Sequence, residues 1–308
     1  MIKGIVVKTT GSWHTVRAGN TIINCRLKGN FRIREIRNTN PVAVGDQVDV
    51  EEEPDNTGTI VNIHPRKNYI IRRATNLSHE SHILAVNIDR VFLMITLDFP
   101  ETPLEFVDRF LISAEAYHIK CILLINKTDL YDHQKLLWLD EVRKIYEFAG
   151  YQVFAMSVLQ DASTSMLADL LKGRINLIAG NSGVGKSSLI NRLYPEIKLK
   201  TGTISSRHLT GKHTTTYPEM IELPSGGFLI DTPGIKSFGV IDIDKNETGL
   251  YFTDIFKLSK NCRFYNCTHI HEPGCAVVEA FNTGILHPSR YRSYLKIVGD
   301  NATKYRNI

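Results

Sequence analysis

The sequence predicts an α/β domain set between a small β-barrel and a mainly helical C-terminal segment. Three patterns carry this reading. Residues 1–72 hold short apolar runs broken by glycines, residues 73–238 alternate strand-like runs with helical stripes, and residues 239–308 gather three of the five cysteines within 14 positions. Many short strands at turn-marked spacing indicate a barrel, and strand–helix–strand alternation indicates a parallel sheet.

In the first segment, Gly4–Lys8, Thr21–Leu27, Asp46–Glu51 and Thr59–Ile63 read as strands. Gly11, Gly19-Asn20, Gly29-Asn30, Gly45 and Pro54–Gly58 mark the turns. About five strands in some 70 residues suit a barrel of the oligonucleotide-binding (OB) type. Residues 1–75 carry 12 Lys/Arg against 7 Asp/Glu, in a chain of net charge +5. Lys28, Arg32, Arg34, Arg37, Arg66, Lys67, Arg72 and Arg73 supply that charge, with Trp13, Phe31 and Tyr69 as stacking partners. Charge plus aromatic faces is what an RNA-binding barrel needs. A spacer domain with a solvated basic face is the plainer alternative, and the later motifs favour RNA contact.

Residues 73–85 read as a linker. Asp89–Leu97 is a buried strand, and Leu104, Val107, Phe110, Leu111 and Ala114 form a helical stripe within Pro103–Lys120. The strand Cys121–Ile125 runs directly into Asn126-Lys127-Thr128-Asp129, the N-x-x-D pattern with lysine that reads guanine. Guanine presents two N–H groups on one edge, and the Asp129 carboxylate accepts both as a charge-assisted pair. Adenine lacks that pair and would leave the carboxylate unmatched. Asn126 would brace the phosphate loop, and the Lys127 stem would lie along the base. A helix follows over 132–149, with Leu136, Leu139, Val142, Ile145 and Phe148 facing in. The strand Tyr151–Met156 then ends at Ser157, where a backbone N–H would touch the guanine carbonyl. Ser157-Val158-Leu159 stands here in place of the usual Ser-Ala-Lys.

Arg174–Ala179 is a further strand, and it opens onto Gly180-Asn181-Ser182-Gly183-Val184-Gly185-Lys186-Ser187, followed by Ser188. This is the G-x-x-x-x-G-K-[ST] phosphate-binding loop in its proper strand–loop–helix context. Its glycines allow close backbone approach, its N–H groups face the phosphates, Lys186 reaches the β/γ-phosphates and the Ser187 hydroxyl holds Mg²⁺. Downstream, Thr214–Thr216 is a candidate switch I, with Thr215 chosen as a second Mg²⁺ ligand. Asp231-Thr-Pro-Gly234 is the D-x-x-G switch II, where Asp231 holds Mg²⁺ through water and the Gly234 N–H meets the γ-phosphate. Strands Glu219–Leu223 and Gly227–Ile230 lie between the two switches. The base-reading motif precedes the phosphate loop by 54 residues. The GTPase motifs therefore run fourth, fifth, first, second, third: a circular permutation, which a fold with neighbouring termini tolerates. It joins the switch II strand directly to residues 235–308, a route by which γ-phosphate motion could reach the C-terminal segment. Ile235 stands where many GTPases place a water-orienting glutamine, and His213, beside switch I, is the candidate to replace it.

Cys262, Cys267, His269 and Cys275 offer three thiolates and an imidazole, a set suited to one tetrahedral structural Zn²⁺; His271 is the rival to His269. Ala276–Phe281 and Ser289–Val298 read as helices, the last with Arg290, Arg292 and Lys296 on a basic side that could meet RNA phosphate.

No run of 18 apolar residues or secretory leader is present, and five cysteines in a chain with 43% hydrophobic and 22% charged residues do not suggest a disulfide framework. The expectation is a cytoplasmic monomer with no membrane or DNA partner.

Taken together, these motifs resemble the ribosome small-subunit-dependent GTPase A family (RsgA, also called YjeQ or YloQ). The resemblance runs the length of the chain: barrel over 1–72, circularly permuted P-loop GTPase domain over 73–238, zinc-knuckle helical domain over 239–308. Gly211-Lys-His-Thr-Thr-Thr216 carries Lys212 at a variable family position. The resemblance implies a factor that binds the small (30S) ribosomal subunit and 16S rRNA late in assembly. It also implies slow hydrolysis of GTP to GDP, stimulated by the subunit, with His213 catalytic. A switch GTPase acting on another RNA or protein is the alternative.

Overall fold

The computed structural model describes residues 1–29, 41–55, 57–73, 81–197, 219–231 and 247–304. The strands β1 (Ile2–Thr10), β2 (Trp13–Ala18), β3 (Thr21–Leu27), β4 (Gln47–Glu52) and β5 (Thr57–Ile63) come first. They are followed by β6 (Tyr69–Arg73), β7 (Ser81–Val86) and β8 (Arg90–Ile95). Next come α1 (Leu104–Ala116), β9 (Lys120–Ile125), α2 (His133–Phe148), β10 (Gln152–Ala155), α3 (Asp161–Leu171), β11 (Ile175–Ala179) and α4 (Lys186–Leu193). The strands β12 (Glu219–Glu222) and β13 (Phe228–Asp231) precede α5 (Thr248–Tyr251), α6 (Thr253–Ser259), α7 (Ala276–Asn282) and α8 (Pro288–Lys304). The described residues fall into two compact units, one within 1–92, 160–182 and 186–237, the other within 93–159, 183–185 and 238–308.

The first unit contains a closed five-strand barrel. β1 pairs antiparallel with β2 and β4, β2 with β3, β3 runs parallel to β5, and β5 returns antiparallel to β4. Closure removes the unpaired strand edges that would otherwise invite association. Val6, Val16, Ile23, Cys25, Val48, Val50 and Ile60 fill the interior. Gly58 is needed there, since a Cβ would come within 2.6 Å of Val50 Cγ1. The sequence reading omitted β2. Its inward alternation is masked by His14, which is buried with Val16 and Ala18. Burial lowers the His14 pKa against the pull of Asp46, so the ring sits in the interior as the neutral form.

Two expectations for this region need correction. The linker expected over 73–85 contains β7, which pairs antiparallel with β6 from Tyr69↔Val86 to Arg73↔Ser81. Arg66, counted among RNA-facing cations, is a structural clamp: its guanidinium spans both oxygens of the fully buried Asp46 at 2.7 Å and also reaches Pro41 O at 2.8 Å. Lys67 likewise pairs with Asp89, while the Arg26 guanidinium lies 4.2 Å from the Trp13 ring centre. Lys28 is exposed. Phe31, Arg32, Arg34 and Arg37 lie outside the described residues. In the same unit β11 runs parallel to β13, β13 pairs antiparallel with β12, and β12 meets barrel strand β1 at Lys8↔Glu219.

In the second unit β10 runs parallel to β9, with β9 next to β8. α1 buries Val107, Phe110, Leu111 and Ala114, as its stripe predicts. α2 begins at Asp132, whose side chain accepts the Lys135 N–H at 2.8 Å, an N-cap. Leu139, Val142 and Ile145 face in, but Leu136 and Phe148 are exposed. Tyr146 is buried instead, because its hydroxyl reaches Asp108 Oδ1 at 3.0 Å.

Asp108 belongs to a buried ionic triad. Arg290 on α8 donates to Asp108 Oδ1 on α1 (2.6 Å) and to both oxygens of Asp254 on α6 (2.8 Å each). All three side chains are 1% exposed or less. The expected basic outer side of α8 is therefore wrong at Arg290; Arg292 is exposed and Lys296 pairs with Glu105. Removing one partner of a buried ion network strands the others in low dielectric, a cost of about 3–5 kcal/mol. Arg290→Met should lose about that much in urea unfolding monitored by circular dichroism, whereas Arg292→Met should change stability by less than about 0.5 kcal/mol.

Candidate nucleotide site and metal centre

The base-reading motif is built at the end of β9. Asn126 N–H donates to Ile95 O of the neighbouring strand at 2.9 Å. Lys127 then turns left-handed (φ 65°) into a short 3₁₀ turn over Thr128–Leu130, which leaves Asp129 exposed. Thr128 N–H donates to Met156 O at 3.2 Å, tying this turn to the end of β10. Tyr131 supports it from below: its hydroxyl donates to Asn126 O at 2.7 Å and accepts from Leu97 N–H at 2.8 Å. Burial raises the Tyr131 pKa, so the donor proton stays in place.

Asn126 is 2% exposed, and both ends of its carboxamide are engaged. Its Nδ2 donates to Val184 O at 2.8 Å, and its Oδ1 accepts from Val158 N–H at 3.1 Å. One amide thus fastens the phosphate loop and the Ser157-Val158 segment to the base-reading motif. Ser157 is buried, and its Oγ accepts from Leu159 N–H at 3.1 Å.

The phosphate loop has left-handed or extended-positive φ at Gly180 (138°), Gly183 (83°) and Gly185 (106°), a backbone that other L-residues rarely adopt. Val184 is buried and anchors it. Lys186 Nζ folds over the loop, donating to Gly180 O at 2.8 Å and Asn181 O at 2.6 Å. Ser182 and Ser188 are exposed and Ser187, in the first turn of α4, is half-buried. His213, Thr215 and Gly234 lie outside the described residues, and Asp231 is described only as the end of β13.

The second cluster is on the C-terminal segment. The ligating atoms of Cys262, Cys267, His269 and Cys275 all lie within 4.8 Å of one another. His269 Nδ1 is 3.6 Å from Cys262 Sγ and 3.4 Å from Cys275 Sγ, and those two sulfurs are 3.9 Å apart. Tetrahedral bonds of about 2.3 Å to sulfur and about 2.0 Å to nitrogen give edges of about 3.8 and about 3.5 Å, so the set fits one tetrahedral cation. His271, the alternative imidazole, is exposed and outside the cluster. The loop is pinned by groups the sequence did not single out. Tyr291 OH donates to His269 O at 2.8 Å and Tyr294 OH to Thr268 O at 2.7 Å. The Glu272 carboxylate accepts from the Thr268 hydroxyl and from the Thr268, Ile270 and His271 N–H groups. Burial alone would raise its pKa, but these bonds hold it far below the usual range. No local signal marks Tyr291 or Tyr294; they lie 22 and 26 residues from the backbone they hold.

With this geometry in hand, comparison with known proteins is informative. Residues 63–241 match the RsgA GTPase family model and residues 3–60 that of the RsgA N-terminal domain. The chain belongs to the RsgA GTPase family. It is accordingly a GTP hydrolase whose GTPase domain is circularly permuted. Small ribosomal subunit biogenesis GTPase RsgA of Bacteroides fragilis (strain YCH46) is 49% identical over 307 residues, covering 99% of each chain. The protein of that name from Porphyromonas gingivalis (strain ATCC 33277) is 50% identical over 310 residues, 98% of each. Two solved RsgA relatives share the fold: YjeQ from Thermotoga maritima, TM-score 0.81, 32% identity and 98% of each chain, and YloQ, a circularly permuted GTPase, TM-score 0.79, 30% identity, 99% of this chain and 96% of that one.

A Cβ on Gly185 would come within 2.5 Å of Asn126 Nδ2 and would sit on a left-handed backbone. Gly185→Ala should therefore weaken GDP binding at least about tenfold in fluorescent-nucleotide titration and also lower the thermal midpoint. For the metal centre, burial pushes the Cys267 thiol up to about 12, also raises Cys275 and lowers His269. A cation binding there must displace the protons that burial favours on Cys267 and Cys275. Metal affinity should therefore rise with pH. Bound metal, read by a colorimetric chelator, should be retained at pH 8 and released toward pH 5, and Tyr294→Phe should move release to higher pH.

Proposed function

We propose that this GTPase acts in maturation of the small (30S) ribosomal subunit, binding it through 16S rRNA and hydrolysing GTP to GDP faster in its presence. The observation that carries the reading is the Asn126 amide, which holds Val184 of the phosphate loop and Val158 beside Ser157 at once. These two bonds support reading the three separated segments as parts of one nucleotide site. The relatives in Bacteroides and Porphyromonas are named small ribosomal subunit biogenesis GTPases, which supports the choice of the subunit as partner.

The roles follow from the chemistry. Asp129 accepts the two guanine N–H groups, the Lys127 stem lies along the base, Thr128 completes the turn, and the segment at Ser157 offers its backbone to the guanine carbonyl. The N–H groups of Gly180, Asn181, Ser182, Gly183, Val184, Gly185 and Lys186, with Ser187 and Ser188 at the start of α4, receive the phosphates. Lys186 leaves its loop carbonyls to meet the β/γ-phosphates. Ser187 would hold Mg²⁺, with Thr215 and Asp231 as the other sequence candidates, and the ion would supply neutralisation of charge on the phosphates; Gly234 is assigned to the γ-phosphate. His213 is assigned to orient the attacking water. Cys262, Cys267, His269 and Cys275 hold one structural Zn²⁺, the tetrahedral thiolate-binding cation their spacing suits best. The barrel over 1–72, the GTPase domain over 73–238 and the zinc segment over 239–308 act as a monomer in the cytoplasm. No helix among the described residues is long and apolar enough to cross a membrane.

The test is phosphate release from GTP by the purified protein alone, with small subunits and with large subunits. Stimulation of about tenfold or more by small subunits alone is expected, and His213→Ala should abolish most of it while GDP affinity stays within about twofold. Equal rates in all three mixtures would remove the ribosome as activator.

A further inference from the structure

The loop after β8, Thr96 to Pro103, meets both the base-reading motif and the phosphate loop, although no nucleotide motif contains it. Lys127 Nζ donates to the Phe99 carbonyl. Pro100 Cδ lies 3.4 Å from the place a Cβ on Gly183 would occupy. Phe99 itself is unusual twice over. Its φ is 54°, a left-handed backbone on a bulky aromatic residue, and its side chain is 59% exposed. Neither property serves a core.

The surroundings hold that conformation firmly. Asp98 Oδ1 accepts the Phe99 N–H at 2.9 Å, and Thr96 Oγ1 donates to Pro100 O at 2.5 Å. Thr102 N–H donates to Thr96 O at 2.9 Å, and Leu97 N–H is taken by the Tyr131 hydroxyl, which also supports Asn126. Strained backbone persists where neighbours over-determine it, and it concentrates at ligand sites. An exposed aromatic ring there offers a flat apolar face to a sugar or base.

We propose that Phe99 is a further nucleotide-binding residue whose ring packs on the nucleoside of bound guanosine di- or triphosphate. The proposal rests on the reading of Asn126–Asp129 and Gly180–Ser187 as the nucleotide site. Contact through a ring face is blind to the hydrogen-bonding edge of the base. Phe99 therefore adds affinity without base identity, while Asp129 supplies the identity.

The experiment titrates the full chain with N-methylanthraniloyl-GDP and competes it with GDP, GTP and IDP. Saturable binding by the unaltered protein, with GDP preferred over IDP, tests the nucleotide-site reading by itself. Phe99→Ala should weaken GDP and GTP about five- to tenfold and leave the GDP-over-IDP ratio unchanged. Phe99→Gly, which takes a left-handed φ freely, should show the same loss with the loop backbone relaxed. Phe99→Trp should restore affinity to within about twofold, and its added indole emission should change when GDP binds. Leu137→Ala, which removes a side chain equally exposed on α2, is the control and should bind as the parent does. Unchanged GDP affinity in Phe99→Gly overturns the proposal. So does a tryptophan variant that binds GDP with no emission change, since a merely structural loop would behave in that way.

Discussion

The candidate nucleotide site depends on one side-chain amide. Asn126 is almost completely buried, and both ends of its carboxamide are engaged across sequence separations of 58 and 32 residues. A buried amide with unpaired ends would be costly, so each bond enforces the other. If Val184 moves, Asn126 loses its acceptor; if Val158 moves, it loses its donor. The phosphate loop, the base-reading turn and the end of β10 are thus fixed as one assembly. Gly185 is glycine in part because that amide occupies the volume where its Cβ would be.

This arrangement makes chain order secondary. Asn126 contacts Val184 through space, and the contact is indifferent to which motif is synthesised first. A permuted chain keeps the same amide, the same loop and the same turn, provided that the strands carrying them keep their places in the sheet. The Arg290 triad plays a parallel part for the C-terminal segment. It joins α1, which follows β8, to α6 and α8 by charge that cannot be left unpaired. α8 in turn supplies Tyr291 and Tyr294, whose hydroxyls hold the backbone on either side of the metal-facing His269. The fold of the cysteine-rich segment and the position of its histidine therefore draw on one helix.

Legibility in the sequence divides along the same line. The phosphate loop, Asn126–Asp129 and the cysteine cluster were readable because each chemistry demands fixed residue types at short fixed spacing. In the structure Asn126 hydrogen-bonds Val184, and His269 lies among the three thiols. What sequence could not show depends on long-range partners. Arg290 looked like one cation on an amphipathic helix; its carboxylates lie 36 and 182 residues away. Arg66 looked solvent-facing for the same reason, with Asp46 20 residues upstream. β2 is hidden in sequence because a buried histidine occupies an inward position, and β7 because the mostly polar run Thr75–Glu80 separates it from its partner β6. The switch residues His213 and Thr215 were named from sequence alone and lie outside the described residues.

The permutation also has a consequence for the barrel. β12 begins three residues after Thr216 and pairs with barrel strand β1 at Lys8↔Glu219, while β13 beside it ends at Asp231. Lys8 and Glu219 are ion-paired at 2.9 Å, and Arg17 of β2 reaches Glu222 at 2.8 Å. Each exposed pair contributes little alone, about 0–1 kcal/mol. Together with the strand pairing they register the barrel against the β12–β13 hairpin. A displacement of β1 must either carry β12 with it or break those contacts. The β12–β13 hairpin is therefore held to the barrel by strand pairing and by two ion pairs on β1 and β2.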